Sequence, residues 1–139
     1  MPPPRVDEGK RILLVDDNDA VREGLEELLR HQGYRVSTAA DGETCLTIVR
    51  TDPPDLIVLD VAMPGLDGFR VATLIKTDPV LQRIPIILYS GRLEESFAVL
   101  AYETRAEYFL PKSGNLGPIL SAIRKLLETT PAGDSHPAR

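Results

Sequence analysis

Short, uninterrupted apolar runs constrain the fold of this 139-residue chain more than any other feature. "RILLV", "DLIVLD" and "IPIILYS" lack the polar alternation of a strand that has one face in water. Continuous runs of this kind are typical of parallel strands that are covered on both faces. "YRVSTA" and "AEYFL" are predicted as two further strands, so we expect a sheet of five strands.

Segments with helical periodicity separate these runs. We predict that Asp19 N-caps the first helix and that Gly33 follows its end. Five strand–helix pairs imply a parallel sheet with right-handed crossovers and helices on both faces, which is a doubly wound α/β fold. Apolar residues at helical spacing lie in 21–29, 45–49, 69–75, 93–101 and 116–127.

Length and composition limit the domain organisation. We expect one domain over 11–128, with flexible tails at 1–10 and 129–139 that are rich in Pro, Gly and charge. No signal peptide or membrane span is apparent, so we expect a cytoplasmic protein without membrane insertion. The net charge of −5 argues against direct nucleic-acid binding. Cys45 fits a small buried helix residue, and His31 fits a charge at a helix C-terminus.

Polar residues follow four of the five predicted strands, at the point where each strand ends. The carboxyl ends of parallel strands share one edge of a sheet, which is where open α/β folds bind ligands. Three acids at one place are costly unless a cation neutralises them, and Mg²⁺ prefers such oxygen ligands. A hydroxyl and a lysine suit a phosphoryl group. The residues are Asp16, Asp17, Asp60, Ser90 and Lys112.

The chemistry of these residue types assigns each a candidate role. Asp60 is the candidate nucleophile, because a carboxylate can attack phosphorus and form an acyl phosphate. Asp17 can bind the metal directly, and Asp16 can do so directly or through water. The backbone carbonyl of Ala62 is the candidate for a further metal ligand. Lys112 can pair with the phosphoryl oxygens, to which the Ser90 hydroxyl can donate a hydrogen bond.

Taken singly, each of these residues also has a purely structural explanation. Asp16 and Asp17 fit a solvated turn, and Asp60 fits a loop residue before a turn. Ser90 fits a helix N-cap, and Lys112 fits a surface charge. Their joint occurrence at strand ends favours a common site.

The chain resembles the receiver domains of two-component response regulators. The resemblance covers about residues 10 to 128, and its D-x-x-MPG-x-DG stretch is highly specific. It implies a flavodoxin-like (βα)5 fold with the strand order 2-1-3-4-5. The matching segments are "LLVDDN" (13–18), "PDLIVLDVAMPGLDG" (54–68), "PIILYSG" (85–91) and "YFLPK" (108–112).

The resemblance also implies a function. Asp60 is expected to accept a phosphoryl group from a sensor histidine kinase or a histidine phosphotransfer protein, in a Mg²⁺-dependent reaction. A downstream protein is expected to bind the face of the fourth helix, fifth strand and fifth helix. The domain would catalyse only its own phosphorylation and dephosphorylation. The implied residues are Asp16, Asp17, Asp60 and the Ala62 carbonyl for the metal, and Ser90, Lys112 and the switch aromatic Phe109 for the phosphoryl response.

This chain departs from the common receiver pattern around its last strand. Lys112 is followed by Ser113 where the family usually has Pro, and Pro111 precedes it, which restricts Leu110 to an extended conformation. Arg105 stands where Gly is common, so we expect a strained or reshaped turn there. Phe109 replaces the more frequent Tyr. These departures affect the predicted output face and leave the phosphorylation chemistry in place.

Two readings of the whole function remain open from the sequence. About ten polar residues follow Glu128, so we expect a stand-alone receiver that signals by protein contacts or relay, although the chain could be a piece of a longer regulator. The alternative is an aspartate-nucleophile phosphohydrolase of the haloacid dehalogenase type, whose D-x-D-x-[TV] motif is matched only approximately by residues 17–21.

Overall fold

The computed structural model describes residues 9–91 and 94–128, which form the predicted alternation of strands and helices. Most of both predicted tails and Leu93 lie outside the described residues. The strands are β1 (Arg11–Val15), β2 (Arg35–Ala39), β3 (Leu56–Asp60), β4 (Ile86–Ser90) and β5 (Tyr108–Pro111). The helices are α1 (Asp19–His31), α2 (Gly42–Thr51), α3 (Gly68–Lys76), α4 (Glu95–Thr104) and α5 (Gly117–Glu128).

The strands form one parallel sheet in the order β2-β1-β3-β4-β5, so the predicted fold class and strand order are confirmed. Every residue of β3 and β4 is buried, whereas the edge strands β2 and β5 are partly exposed. Asp60 lies opposite Tyr89, and Ser90 lies opposite Pro111. This register aligns the carboxyl ends of the central strands at one edge.

Helices cover both faces of the sheet and enclose two separate cores. One core packs α2, α3 and α4 against the sheet and includes Cys45, Val71 and Ala101. The other packs α1 and α5 against the opposite face and includes Leu29 and Ile123. Because each strand residue points to one covered face or the other, a central strand must be apolar up to its carboxyl end. That requirement explains the uninterrupted runs in the sequence.

The predicted N-cap of α1 is wrong by one residue. The Asn18 side chain accepts a hydrogen bond from the Val21 N–H at 3.0 Å, whereas Asp19 is the first helical residue. An N-cap must accept from an N–H two or three residues further on, and Asn18 has that position. The Asp19 carboxylate instead pairs with Arg22 Nη2 at 2.6 Å.

The predicted strain at Arg105 is confirmed. Arg105 caps the C-terminus of α4 in the left-handed region with φ 68°, the one positive φ of a non-glycine residue among those the structure describes. Cys45 is a buried free thiol, as predicted, and its burial raises the pKa to about 12. Within the described ranges, no helix combines the length and the hydrophobicity needed to cross a membrane.

Candidate functional site

The ends of β1, β3, β4 and β5 bring the predicted site residues to one edge of the sheet. Asp60 and Ser90 are the last residues of their strands, and Asp16 and Lys112 directly follow theirs. Lys112 Nζ lies 3.1 Å from Asp16 Oδ2 and 3.4 Å from Asp60 Oδ2. Asp17 joins the cluster, because it can present an oxygen within 4.8 Å of one from Asp16 and one from Asp60.

Burial distinguishes the three carboxylates. Asp16 and Asp60 are at most 1% exposed, whereas Asp17 is exposed. Asp60 Oδ1 accepts a long hydrogen bond of 3.4 Å from the Ala62 N–H. Asp60 Oδ2 is the one buried side-chain oxygen or nitrogen without a hydrogen bond in the described part of the chain, and Lys112 approaches it only as an ion-pair partner. Leaving such an oxygen without a donor is costly, so it marks a place for a ligand.

Asp16, in contrast, is held by several protein donors. Its Oδ1 accepts from the Asn18 N–H at 2.8 Å, and its Oδ2 accepts from the Tyr89 hydroxyl and faces Lys112. Arg22 Nη1 donates to the Asp16 carbonyl at 2.8 Å. Sequence reasoning missed Tyr89 and Arg22. The sequence did offer one sign of Tyr89: it is the one aromatic residue in the apolar run "IPIILYS", and it carries a hydroxyl.

The electrostatics follow from burial and from the excess of negative charge. Burial, followed by the charge of Asp16, raises the pKa of Asp60 to about 7, against the opposing effect of Lys112. Burial lowers the pKa of Lys112, but Asp16 and Asp60 outweigh it and shift the pKa upward, so the ammonium persists. Burial and the bond to Asp16 raise the pKa of Tyr89, so its hydroxyl keeps its proton.

A glycine fixes the backbone beneath Asp60. Gly68 begins α3, and its N–H donates to the Val61 carbonyl at 2.9 Å. A Cβ at this position would lie 2.8 Å from the Val61 Cα and would also collide with the Asp60 carbonyl. Only glycine permits this approach, which explains the final residue of "MPGLDG".

The purely structural explanations do not fit three of the predicted site residues. Asp16 is buried and therefore is not part of a solvated turn. Ser90 is 1% exposed and precedes Glu94, the N-cap of α4, by four positions, so it does not cap that helix. The Lys112 side chain is 22% exposed and pairs with two carboxylates, unlike a free surface charge.

Phe109 lies apart from the carboxylates, on β5, and is half-buried against the core that includes α3 and α4. Its ring centroid is 6.3 Å from that of Phe69, which in turn contacts Phe97 edge-on at 5.3 Å. An aromatic chain therefore connects β5, α3 and α4 on one side of the sheet.

The donor set fits a hard divalent cation. Three clustered carboxylates and one lysine leave excess negative charge, and Asp60 Oδ2 offers a buried oxygen without a donor. Oxygen-only ligation of this kind suits Mg²⁺ better than metals that favour nitrogen or sulfur.

Comparison with known proteins places this chain in a family. A family model described as "Response regulator receiver domain" matches residues 12–124. Transcriptional regulatory protein AfsQ1 of Streptomyces coelicolor is 45% identical over 118 residues, which are 84% of this chain and 50% of that protein. Response regulator PleD of Caulobacter vibrioides is 40% identical over 84% of this chain and 26% of its own length. The chain thus spans half or less of these two relatives.

Solved structures of receiver domains and response regulators are also similar to this chain. The signal receiver domain of a histidine kinase from Syntrophus aciditrophicus has a TM-score of 0.84 and 28% identity, covering 94% of this chain and 98% of that one. TrrA from Thermotoga maritima, solved with Mg²⁺ and BeF, has a TM-score of 0.76 and 34% identity, covering 84% and 98%. From the matched domain, the fold and these relatives together, the chain belongs to the response regulator receiver domain family.

Proposed function

We propose that Asp60 is the phosphoacceptor of this receiver domain and that the donor is the phosphohistidine of a sensor kinase or phosphotransfer protein. The observation that carries the proposal is the buried Asp60 Oδ2, which has no hydrogen bond, lies 3.4 Å from Lys112 Nζ and is surrounded by two further acids. A carboxylate held in this way is a nucleophile whose charge has been left available.

In the proposed step, an Asp60 carboxylate oxygen attacks the phosphorus of the donor. A P–O bond forms, the P–N bond to the imidazole breaks, and the imidazole leaves with the electron pair of that bond. Lys112 Nζ, already beside both carboxylates, pairs with the transferred oxygens. Ser90 ends the neighbouring strand and is the proposed hydroxyl donor to the same group.

We assign Asp17, Asp60 and the Ala62 backbone carbonyl as direct ligands of Mg²⁺, with Asp16 binding directly or through water. When bound, the ion would neutralise the repulsion between carboxylate and phosphoryl group. Asp17 suits direct ligation because it is exposed. Asp16 is already oriented by Asn18 and Tyr89, so it contributes a fixed charge.

The response to phosphorylation is proposed to pass through Ser90 and Phe109 to the face of α4, β5 and α5. Phe109 is only half-buried and contacts the aromatic chain toward α4, so its ring has room to change position. Close packing makes such a change a shift between two states. NMR spectra with and without beryllofluoride test this, and shift changes limited to the acidic site would contradict it.

Response regulators as a family interact with histidine kinases or phosphotransfer proteins. For this chain, we propose output through protein contacts or phosphate relay, without direct nucleic-acid binding and without turnover of other phosphate esters. The phosphohydrolase alternative loses support because Asp19, the second acid of its approximate motif, pairs with Arg22. The stand-alone arrangement and the cytoplasmic location stay predictions.

Labelling with radioactive acetyl phosphate or a phosphorylated kinase tests the phosphoacceptor. Asp60→Asn should abolish the Mg²⁺-dependent label, because the amide is not a comparable nucleophile. Asp52→Asn is the matched control, since Asp52 is exposed and pairs with Arg11 near the start of β1. Equal labelling of Asp60→Asn and the parent protein would refute the assignment.

A further inference from the structure

We propose that Tyr89 is a positioning residue of the site formed by Asp16, Asp17 and Asp60. Its hydroxyl orients the Asp16 carboxylate for the metal, and it stays bonded to Asp16 when Lys112 leaves that carboxylate. The inference rests on the proposed function and deepens it. Tyr89 is 1% exposed, and its hydroxyl donates to Asp16 Oδ2.

The fold explains how a core residue reaches the site. Tyr89 packs its ring in the core that α1 and α5 form with the sheet, and it lies opposite Asp60 on the neighbouring strand. Asp16 directly follows β1, on the far side of β3. The tyrosine hydroxyl therefore spans from β4 across β3 to the end of β1. Phenylalanine would fill the same core space, so the polar tip is the feature that needs a function.

Counting acceptor positions shows what the hydroxyl does. A carboxylate has about four lone-pair positions. The Asn18 N–H uses one on Asp16 Oδ1, while Tyr89 and Lys112 share the two on Oδ2. Both oxygens are thus fixed in direction, and one position on Oδ1 remains for the ion or its water. Without the Tyr89 hydroxyl, the carboxylate could rotate and offer that oxygen in the wrong place.

Tyr89 also accounts for the position of Lys112. The Lys112 ammonium lies 5.3 Å from the centroid of the Tyr89 ring, within the range of a cation–π contact. In the proposed reaction, Lys112 moves its interaction from Asp16 to the phosphoryl oxygens. The Tyr89 hydroxyl then remains on Asp16 Oδ2, so the buried carboxylate oxygen is not left without a donor.

The test compares Tyr89→Phe with Tyr108→Phe, which removes a hydroxyl from the neighbouring strand on the same side of the sheet. Mg²⁺ alone is titrated and followed by backbone amide NMR shifts. We expect the dissociation constant of Tyr89→Phe to rise about tenfold, as for other losses of a partner behind a metal ligand. Tyr108→Phe should match the parent. During phosphorylation by acetyl phosphate, the Mg²⁺ concentration for half-maximal rate should rise. The rate at saturating Mg²⁺ should also fall, because Asp16 Oδ2 then has no donor once Lys112 turns to the phosphoryl oxygens.

A double-mutant cycle shows whether Tyr89 acts through Asp16. In an Asp16→Ala background, which leaves no side-chain oxygen to accept from Tyr89, Tyr89→Phe should no longer change Mg²⁺ affinity. In the parent, the Tyr89 hydroxyl proton should be protected from solvent exchange before and after beryllofluoride binds. A freely exchanging hydroxyl, or equal Mg²⁺ affinity of Tyr89→Phe and the parent, would overturn the inference and leave the proposed function intact. A parent that binds no Mg²⁺ would overturn both.

Discussion

Charged side chains are buried both where the strands begin (the amino edge of the sheet) and where they end (the carboxyl edge). The two edges differ in how many hydrogen bonds those charged groups receive. At the amino edge, Lys76 is buried and donates to the carbonyls of Gln82 and Ile84 and to Glu107 Oε2, at 2.8 to 3.1 Å. The other oxygen of Glu107 accepts from the Ile86 N–H at 2.8 Å. At the carboxyl edge, Asp60 Oδ2 has no hydrogen bond.

The difference separates residues whose charges are paired within the fold from residues that we propose to carry the chemistry. The Lys76–Glu107 cluster joins the end of α3, the start of β4 and the residue before β5, and each charge there has a partner. At the carboxyl edge, three acids face one lysine, and the excess negative charge is what a bound cation would neutralise. A buried carboxylate oxygen without a hydrogen bond, beside an excess of negative charge, therefore distinguishes the carboxyl edge from the Lys76–Glu107 cluster.

The largest effect should come from breaking the satisfied cluster. Lys76→Met should lower the free energy of unfolding by about 3 kcal/mol, because Glu107 loses its counter-charge and two carbonyls lose a donor. Urea denaturation measures this. Lys125→Met, at an exposed position of α5, is the control and should change stability little. A loss as small as that of the control would mean that the amino-edge cluster does not stabilise the fold.

A carboxylate removed from each edge should change stability in opposite directions. In chelator, Asp60→Asn should raise the free energy of unfolding by about 1 kcal/mol, since it removes a poorly paired charge beside Asp16. Glu107→Gln should lower it by about 1 to 2 kcal/mol, because Lys76 loses a charge-assisted bond. Paired denaturation curves at neutral pH measure both. Destabilisation by both substitutions would remove the contrast between the edges.

Much of the fold was predictable from the sequence because burial on both faces dictates uninterrupted apolar strands. The same alternation predicted which edge Asp16, Asp60, Ser90 and Lys112 share. Here the position of each residue along its strand is sufficient, and no knowledge of side-chain direction is needed.

The remaining features depend on contacts that position along the chain does not encode. Lys76 ends an amphipathic helix, so the sequence alone suggests a surface charge. In the fold, Glu107 directly precedes β5 and forms an ion pair with Lys76. The Tyr89 hydroxyl reaches Asp16 only because β3 separates their strands by the right distance. The first cap was misplaced because Asn18 and Asp19 are adjacent and both are good capping residues.

Mg²⁺ should stabilise the carboxyl edge without affecting the amino edge. At tenfold excess over its dissociation constant, Mg²⁺ should raise the free energy of unfolding of the parent by about 1.4 kcal/mol. Lys76→Met should gain the same increment, because distant and independent sites contribute additively. Asp17→Ala should gain much less, since it lacks a proposed ligand. Thermal melts with Mg²⁺ or chelator test this, and an unchanged response of Asp17→Ala would exclude it from the ligand set.

The smallest effect concerns Arg105, whose strained backbone is the exception at an amino edge where the charged groups are hydrogen-bonded. It caps the C-terminus of α4 with φ 68° and ψ 18°, a conformation that costs a non-glycine residue about 1 to 2 kcal/mol. Arg105→Gly should relieve this strain but also increase the freedom of the unfolded chain, which leaves a net gain in the free energy of unfolding of about 0.5 kcal/mol.

Arg105→Ala keeps the strain and so measures the loss of the arginine side chain alone. Arg124→Gly, at an exposed position inside α5, should cost about 1 kcal/mol, because there glycine relieves nothing. Denaturation of the three variants gives the comparison, and a loss of stability in Arg105→Gly similar to that in Arg124→Gly would show that the turn carries no strain. The gain should be equal with and without Mg²⁺, since the turn lies at the edge of the sheet opposite the acidic site.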